Sequence, residues 1–352
     1  VSLALAIALQ AAIDAAPDGA TVSLAGRSYD GPVAIAHPIA LVGPGAIRGT
    51  ITVTAPDVTV AGVTVDGGSI QVERTQRVTL RGNIVRGAPA ASLGLRADGI
   101  HLWETTDSLV EDNRVTGARD VVVWYSSRNR IVGNRVEHGR YGAHLMYSHD
   151  CLIADNRFTD DVVGVFVMYS HGVTVRGNTV ARAGGSAGMG IGLKDSGNLV
   201  VDGNLFVDDT VGIYIDDSPI QNGEIDTFTG NRVVGCDAGV AFLAGTKRTW
   251  FRGNAFAANQ RQVRVEGGGD ALGVRWEENA FDDYAGYDLD GDGIGDVPYQ
   301  LRSLASDLTD GHPDLRFFTG APALALLDAV GSLAPLYPPR LILVDERPRL
   351  AR

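Results

Sequence analysis

The sequence predicts an all-β fold: a single-stranded, right-handed parallel β-helix with an N-terminal capping helix and an irregular C-terminal tail that holds one short helix. Three observations carry this. Nine asparagines, Asn83, Asn113, Asn134, Asn156, Asn178, Asn204, Asn231, Asn254 and Asn279, recur with gaps of 21 to 30 residues. Short β-branched runs flank them, VTLRGN, NRIVGN, GVTVRGN and NLVVDGN on one side and NRV, NRF, NTV and NLF on the other. Glycine is abundant at 45 residues and aromatics make up 7%, which suits many turns around a thin aliphatic interior. A fixed period in the low twenties with such strands and turns marks a coil that stacks on itself.

The elements follow in order. Residues 1–30 form the N-terminal cap, with a helix over 4–16 that sets Leu5, Leu9 and Ile13 on one face. A solenoid needs its open end covered, and this helix is the lid. The apolar opening has no basic leader, so it reads as this helix and not as a signal peptide. Residues 31–281 are the β-helix coils, with less regular strands at 33–36, 39–43, 51–54 and 58–65 and the regular period over 80–280. Residues 282–299 are rich in aspartate. The tail, 300–352, is rich in Pro and Leu, with a helix near 322–334 whose first turn Pro322 suits.

The net charge of −12 disfavours nucleic acid, whose phosphates need a basic surface, and polyuronates for the same Coulombic reason. No run of about 18 apolar residues is present, so no transmembrane helix is expected. Cys151 and Cys236 align four coils apart, roughly 19 Å at the inter-strand spacing. That is too far for a disulfide, and two buried free thiols are expected.

A second block precedes most of the asparagines: GIHLWETTD, DVVVWYSSR, GAHLMYSHD, GVFVMYSHG, GIGLKDSGN and GIYIDDSPI. Strand side chains alternate between faces. Ile100, Leu102, Val121, Val123, Ala143, Leu145, Val165 and Val167 must fill the interior. The outward columns then hold His101, Val122, His144, Phe166, Gly192 and Tyr214 in one row and Trp103, Trp124, Met146, Met168 and Lys194 in the next. Stacking sets Met146 beside Met168, with His144 on the same face, and adds Tyr147, His149, Tyr169 and His171 from the following turn. The three methionines, Met146, Met168 and Met189, fall within a few coils, and five of seven histidines lie between 101 and 171. Thioethers and imidazoles suit Cu(I) far better than calcium or magnesium. An exposed stripe containing Trp103, Trp124, Tyr147, Phe166 and Tyr169 reads equally as a protein-docking face or as packing under loops.

The segment Asp288-Leu-Asp290-Gly-Asp292-Gly-Ile294-Gly-Asp296 places oxygen donors at positions 1, 3, 5, 7 (the Ile294 carbonyl) and 9 of an EF-type calcium loop, with Gly at position 6. Tyr299 replaces the Glu of position 12. A structural Ca(II) pinning the turn after the last coil is expected; the alternative is a solvated acidic turn. Glycan chemistry needs paired carboxylates in one groove. The outward acids Glu104, Asp195, Asp216 and Asp217 are scattered, and no nucleophile with its base, HExxH or P-loop is visible. The chain is therefore expected not to be an enzyme.

The RYGAHLMYSHD and VGVFVMYSHGVTVRGN blocks, with FDDYAGYDLDGDGIGDVPY and the Leu/Pro-rich tail, resemble the NosD family, over nearly the whole chain. The resemblance implies a periplasmic β-helix maturation factor for nitrous oxide reductase in denitrification. It implies partners: an ABC transporter permease with a separate ATPase, a copper chaperone lipoprotein, and the reductase. It also implies an extracytoplasmic chain whose leader has been removed. It points to His144, Met146 and Met168, then His101, His149, His171 and Met189, as copper-handling residues, and to the tail as the transporter-facing part. The rival reading is a β-helical polysaccharide lyase, hydrolase or epimerase, or a carbohydrate-binding module, with Trp103 and Trp124 stacking on sugar rings.

Overall fold

The computed structural model describes residues 2–88, 92–243, 247–266, 269–303, 314, 321–333 and 339–350. The chain winds as a parallel β-helix of about twelve turns. Each turn gives one short strand to each of three parallel sheets, two of twelve strands and one of eleven. The first sheet runs from Thr21–Ser23 to Arg275–Glu277, the second from Ser28–Asp30 to Ala280–Phe281, and the third from Val33–Ile35 to Arg261–Glu266. The coil thus begins inside the stretch read as cap. The segments TVS and SYD are too short to register as strands alone, and they are fixed by pairing with Ala40–Val42 and Ala46–Arg48.

The opening helix spans Ser2–Asp14. Leu9 and Ile13 are buried over the first turn; the Leu5 side chain lies outside the described residues. Gln10 fastens the helix by donating to the Ala34 carbonyl and accepting its N–H, both at 2.9 Å.

The interior is filled as the alternation requires, with Ile100, Leu102, Val121, Val123, Ala143, Leu145, Val165 and Val167 all at 2% exposure or less. Towards the C-terminal end phenylalanines take over, and Phe228, Phe251 and Trp276 stack at 4.5 Å intervals. The asparagines are fully buried at one corner. From Asn113 to Asn279 each Oδ1 accepts both the backbone N–H and the Nδ2–H of the asparagine one turn earlier, at 2.8–3.0 Å, and the Asn83 Oδ1 accepts the Val63 N–H at 3.0 Å. The ladder satisfies backbone groups that a tight buried corner would otherwise orphan.

The ladder ends on the tail. Tyr299–Ser303 and Arg340–Asp345 form an antiparallel pair that periodicity did not reveal. It brings buried Asp345 onto Asn279, whose N–H and Nδ2–H donate to its Oδ2 at 3.0 and 2.9 Å. The tail helix spans Pro322–Leu333. Its Leu327 and Val330 are exposed, while the side chains of Leu324 and Leu333 lie outside the described residues. Cys151 and Cys236 are free and buried, at different corners of the tube. Burial pushes their thiols up to about 11 and about 12.

Candidate functional site

The third sheet builds the site. Its middle strands are six residues long, Tyr141–Met146, Val163–Met168, Met189–Lys194 and Val211–Asp216. The extra length comes from an irregularity at Gly142 and Gly164. A Cβ there would meet the inward side chains of Phe158 and Val180 at 2.4 Å, so only glycine fits against these walls. Gly142 and Ala143 therefore both face inward. Strict alternation is broken, and the preceding residue is thrown onto the outer face. Tyr141 becomes a site residue that sequence alternation could not find, its ring 4.6 Å from that of His144.

Beyond the glycine, alternation resumes. His101, Val122, His144, Phe166, Gly192 and Tyr214 stand in one register row, and Trp103, Trp124, Met146, Met168, Lys194 and Asp216 in the next. Met146 pairs directly with Met168, both half-buried. The His144 Nε2 lies 3.4 Å from the Met168 Sδ. Two donors roughly 2.0 and 2.3 Å from one tetrahedral ion stand about 3.5 Å apart, so the pair can share a soft cation with little rearrangement; the observed distance also suits an N–H···S hydrogen bond. His144 points outward yet is only 6% exposed, covered by Tyr141, Trp124 at 5.4 Å and Phe166 at 6.0 Å. Burial, then the nearby Arg140 cation, lowers its pKa to about 4. The imidazole is neutral at pH 7, the state a metal ligand needs. Among the described residues its Nδ1 is buried without a hydrogen-bond partner, as is the Trp124 Nε1.

The turn that follows is held by a ladder the sequence reading missed. The N–H groups of Thr105, Ser126, Ser148, Ser170 and Ser196 each donate to the hydroxyl of the next turn, at 2.9–3.2 Å. Ser148 and Ser170 thereby fix the strand ends that carry Met146 and Met168. Just before them, Tyr125, Tyr147 and Tyr169 each adopt a φ of 50°, a left-handed conformation rare for bulky residues. Their rings stack in a row at 5.2 and 4.9 Å with interplanar angles of 11° and 13°, and Tyr125 and Tyr147 are exposed.

Four copper candidates lie away from the sulfur pair. Met189 is not in the methionine row; it begins its strand, pairs with Val163 and Val211, and packs beside Tyr214, Val211 and Ala238. His149 and His171 sit beyond the tyrosine corner, stacked on each other at 5.5 Å. The His149 Nδ1 accepts the His171 N–H at 3.2 Å, and the His171 Nδ1 meets the Glu224 Oε1 at 2.9 Å. Glu224 comes from a distant loop. Gly197 makes room for it, since a Cβ there would lie 1.9 Å from its Oε2. His171 therefore anchors that loop. His101 stands two turns from His144, with Val122 between them.

In the aspartate loop, oxygens of Asp288, Asp290 and Asp292 lie within 4.8 Å of one another. Asp296 is engaged elsewhere, accepting the Leu289 N–H at 2.7 Å. Ile294 donates to Asp292 at 2.7 Å and bridges to Arg349. Hydrogen bonds from the Gly293 and Gly291 N–H groups hold Asp288 below the usual carboxylate range. The loop also grips the tail, with the Gly295 N–H donating to the Pro348 carbonyl at 2.7 Å.

Two of the outward acids are held closely by cations. Glu104 pairs with Arg74 at 3.1 Å beside a groove of about 440 Å³. Asp216 pairs with Lys194 at 2.7 Å. Asp195 and Asp217 are corner residues with φ of 46°.

The family profile described as "Periplasmic copper-binding protein (NosD)" matches residues 82–286, more than half of the chain. A protein of Pseudomonas aeruginosa named "Probable ABC transporter binding protein NosD" is 27% identical, over 89% of this chain and 84% of its own length. A protein of the same name from Stutzerimonas stutzeri is 26% identical, over 77% of this chain and 64% of its own length. Among solved structures, an exopolygalacturonase from Thermotoga maritima aligns with a TM-score of 0.55 at 11% identity, over 73% of this chain and 84% of that one. A variant of the periplasmic alginate epimerase AlgG aligns at 0.51 and 14%, over 66% and 62%. At those identities the structural likeness speaks for the fold alone.

Proposed function

The chain belongs to the NosD family, and on that premise we propose that it is a non-catalytic periplasmic scaffold that receives Cu(I) and passes it on at the outer mouth of an ABC transporter. The cargo would serve copper-site assembly in nitrous oxide reductase. Its partners would be a permease with a separate ATPase and a lipoprotein copper chaperone. One observation carries the reading: a neutral, water-shielded imidazole aimed at a thioether at 3.4 Å, with a second thioether next to it. His144, Met168 and Met146 would hold the ion. Few soft ligands suit a cargo that must leave again.

The test is an anaerobic Cu(I) titration of the M146L/M168L chain. The reading expects an intact fold and loss of tight binding. Wild-type affinity in that chain would overturn it.

The exposed tyrosines beside the site support a second role as the surface on which the donor or acceptor of copper sits, together with Trp103, Trp124 and Phe166. Normal Cu(I) binding with lost partner association in a Y125A/Y147A chain would make docking the main role. The carbohydrate-active alternative has less support. The tyrosine faces cover one another, the tryptophan rings meet at 60°, and Glu104 and Asp216 are paired with cations. For the aspartate loop we propose a structural Ca(II) held by Asp288, Asp290 and Asp292, tightening the clamp on the tail.

A further inference from the structure

Asp98 stands against His101 in a way copper capture at the sulfur pair does not explain. The carboxylate is only 8% exposed. It is locked by the Arg119 guanidinium through two hydrogen bonds of 2.9 Å each. Its Oδ2 lies 3.4 Å from the His101 Nδ1. A carboxylate beside Nδ1 favours the proton on that nitrogen and leaves the lone pair on Nε2, the arrangement found behind metal-bound histidines. That Nε2 is shielded from water and has no hydrogen-bond partner among the described residues. The surroundings are aromatic: the ring centroids of Trp103 and Trp124 lie 6.0 and 5.6 Å from that of His101. Trp124 in turn contacts His144 at 5.4 Å. The indole of Trp124 is the shared wall between two imidazoles, and it carries a third unpartnered polar atom, Nε1.

An orphaned, oriented nitrogen in a dry aromatic wall has a cost if nothing ever binds it. Resting on the copper reading above, we infer that His101 is a second and weaker Cu(I) station on the same wall, and that Asp98 is the positioning residue that fixes its donor atom. One nitrogen against aromatic rings binds a soft cation less firmly than a nitrogen with two thioethers. Equilibrium therefore runs from His101 towards His144, Met146 and Met168. The station lies two turns from that site, along the row that Trp124 spans.

The full chain tests this with Cu(I) supplied anaerobically from a coloured chelate while tryptophan emission is recorded. The M146L/M168L chain should retain one weak equivalent that still quenches emission. Adding His101→Phe, which keeps a ring against both indoles, should remove it. Adding Asp98→Asn instead should weaken it about 10–100-fold and shift the His101 imidazole nitrogens away from a single Nδ1–H tautomer in nitrogen-15 spectra. If D98N loses its fold, the H101F comparison decides alone, because Asp98 and Arg119 stay paired there. Complete loss of Cu(I) from M146L/M168L would overturn the second station and leave the soft site standing. So would a weak equivalent that survives H101F. Tight binding unchanged in M146L/M168L would instead overturn the soft site.

Discussion

The Nε2 of His144 and the sulfur of Met168 face each other at 3.4 Å across adjacent turns of the helix. Residues 24 positions apart meet because the coil repeat sets His144 opposite Phe166 and alternation puts Met168 on the same outer face, two residues further along. If this pair holds copper, each partner can be removed separately. His144→Gln and Met168→Leu should each weaken Cu(I) binding at least tenfold, about 1.4 kcal/mol, with little change in thermal stability for M168L. Competition against a Cu(I) chelator measures it, and an M168L affinity equal to wild type would remove Met168 from the site.

The buried ladder sets a second expectation. Asn156→Ala leaves the Asn134 N–H and Nδ2–H without their acceptor and opens a void. A loss of roughly 2–4 kcal/mol is expected, since each buried unsatisfied group costs about 1–3 kcal/mol. Arg128→Ala breaks a solvent-exposed pair with Asp107 and should leave stability almost unchanged, because water and salt screen such pairs. Urea unfolding of both variants compares them, and equal midpoints would contradict the ladder's role.

Acid–base linkage gives a third. Asp161 is buried, with one oxygen accepting the Gly139 N–H at 2.6 Å and the other unpartnered among the described residues. Burial raises its pKa to about 8, against about 3.9 for an unfolded aspartate. The folded state thus holds the proton more tightly. This contribution to stability is complete below about pH 4 and is lost as pH rises through about 8. Asp209, also raised to about 8, acts in the same direction. Asp161→Asn cannot ionise, so it should flatten the decline and melt higher than wild type at about pH 9. Melting curves across pH check this; an unchanged slope would mean that Asp161 titrates normally.

Calcium gives a fourth. A bound ion at Asp288, Asp290 and Asp292 should raise the melting temperature by a few degrees at about 5 mM calcium, and chelation should reverse it. The D290N/D292N chain should not respond. A wild-type melt indifferent to calcium would leave the loop as a solvated turn.

The asparagine period made the tube legible because every turn solves the same corner problem with the same side chain. The inward aliphatics, and the register of Met146 beside Met168, followed from alternation. What stayed hidden was non-local. Tyr141 and Met189 lie on the outer face only because the glycine after each of them breaks the alternation. Glu224 reaches His171 across 53 residues, and Asp345 reaches Asn279 across 66. No local pattern encodes such pairings. Asp98 was passed over because it reads as an ordinary turn residue until Arg119 and His101 are seen on either side of it.

A stack of identical rungs has no intrinsic reason to stop, and an uncapped end is a template for another molecule. Asp345 supplies the terminus: a carboxylate accepts both donors of Asn279 and has none to hand onward. The tail thereby closes the last rung with an acceptor and leaves no donor of the ladder unanswered at that end.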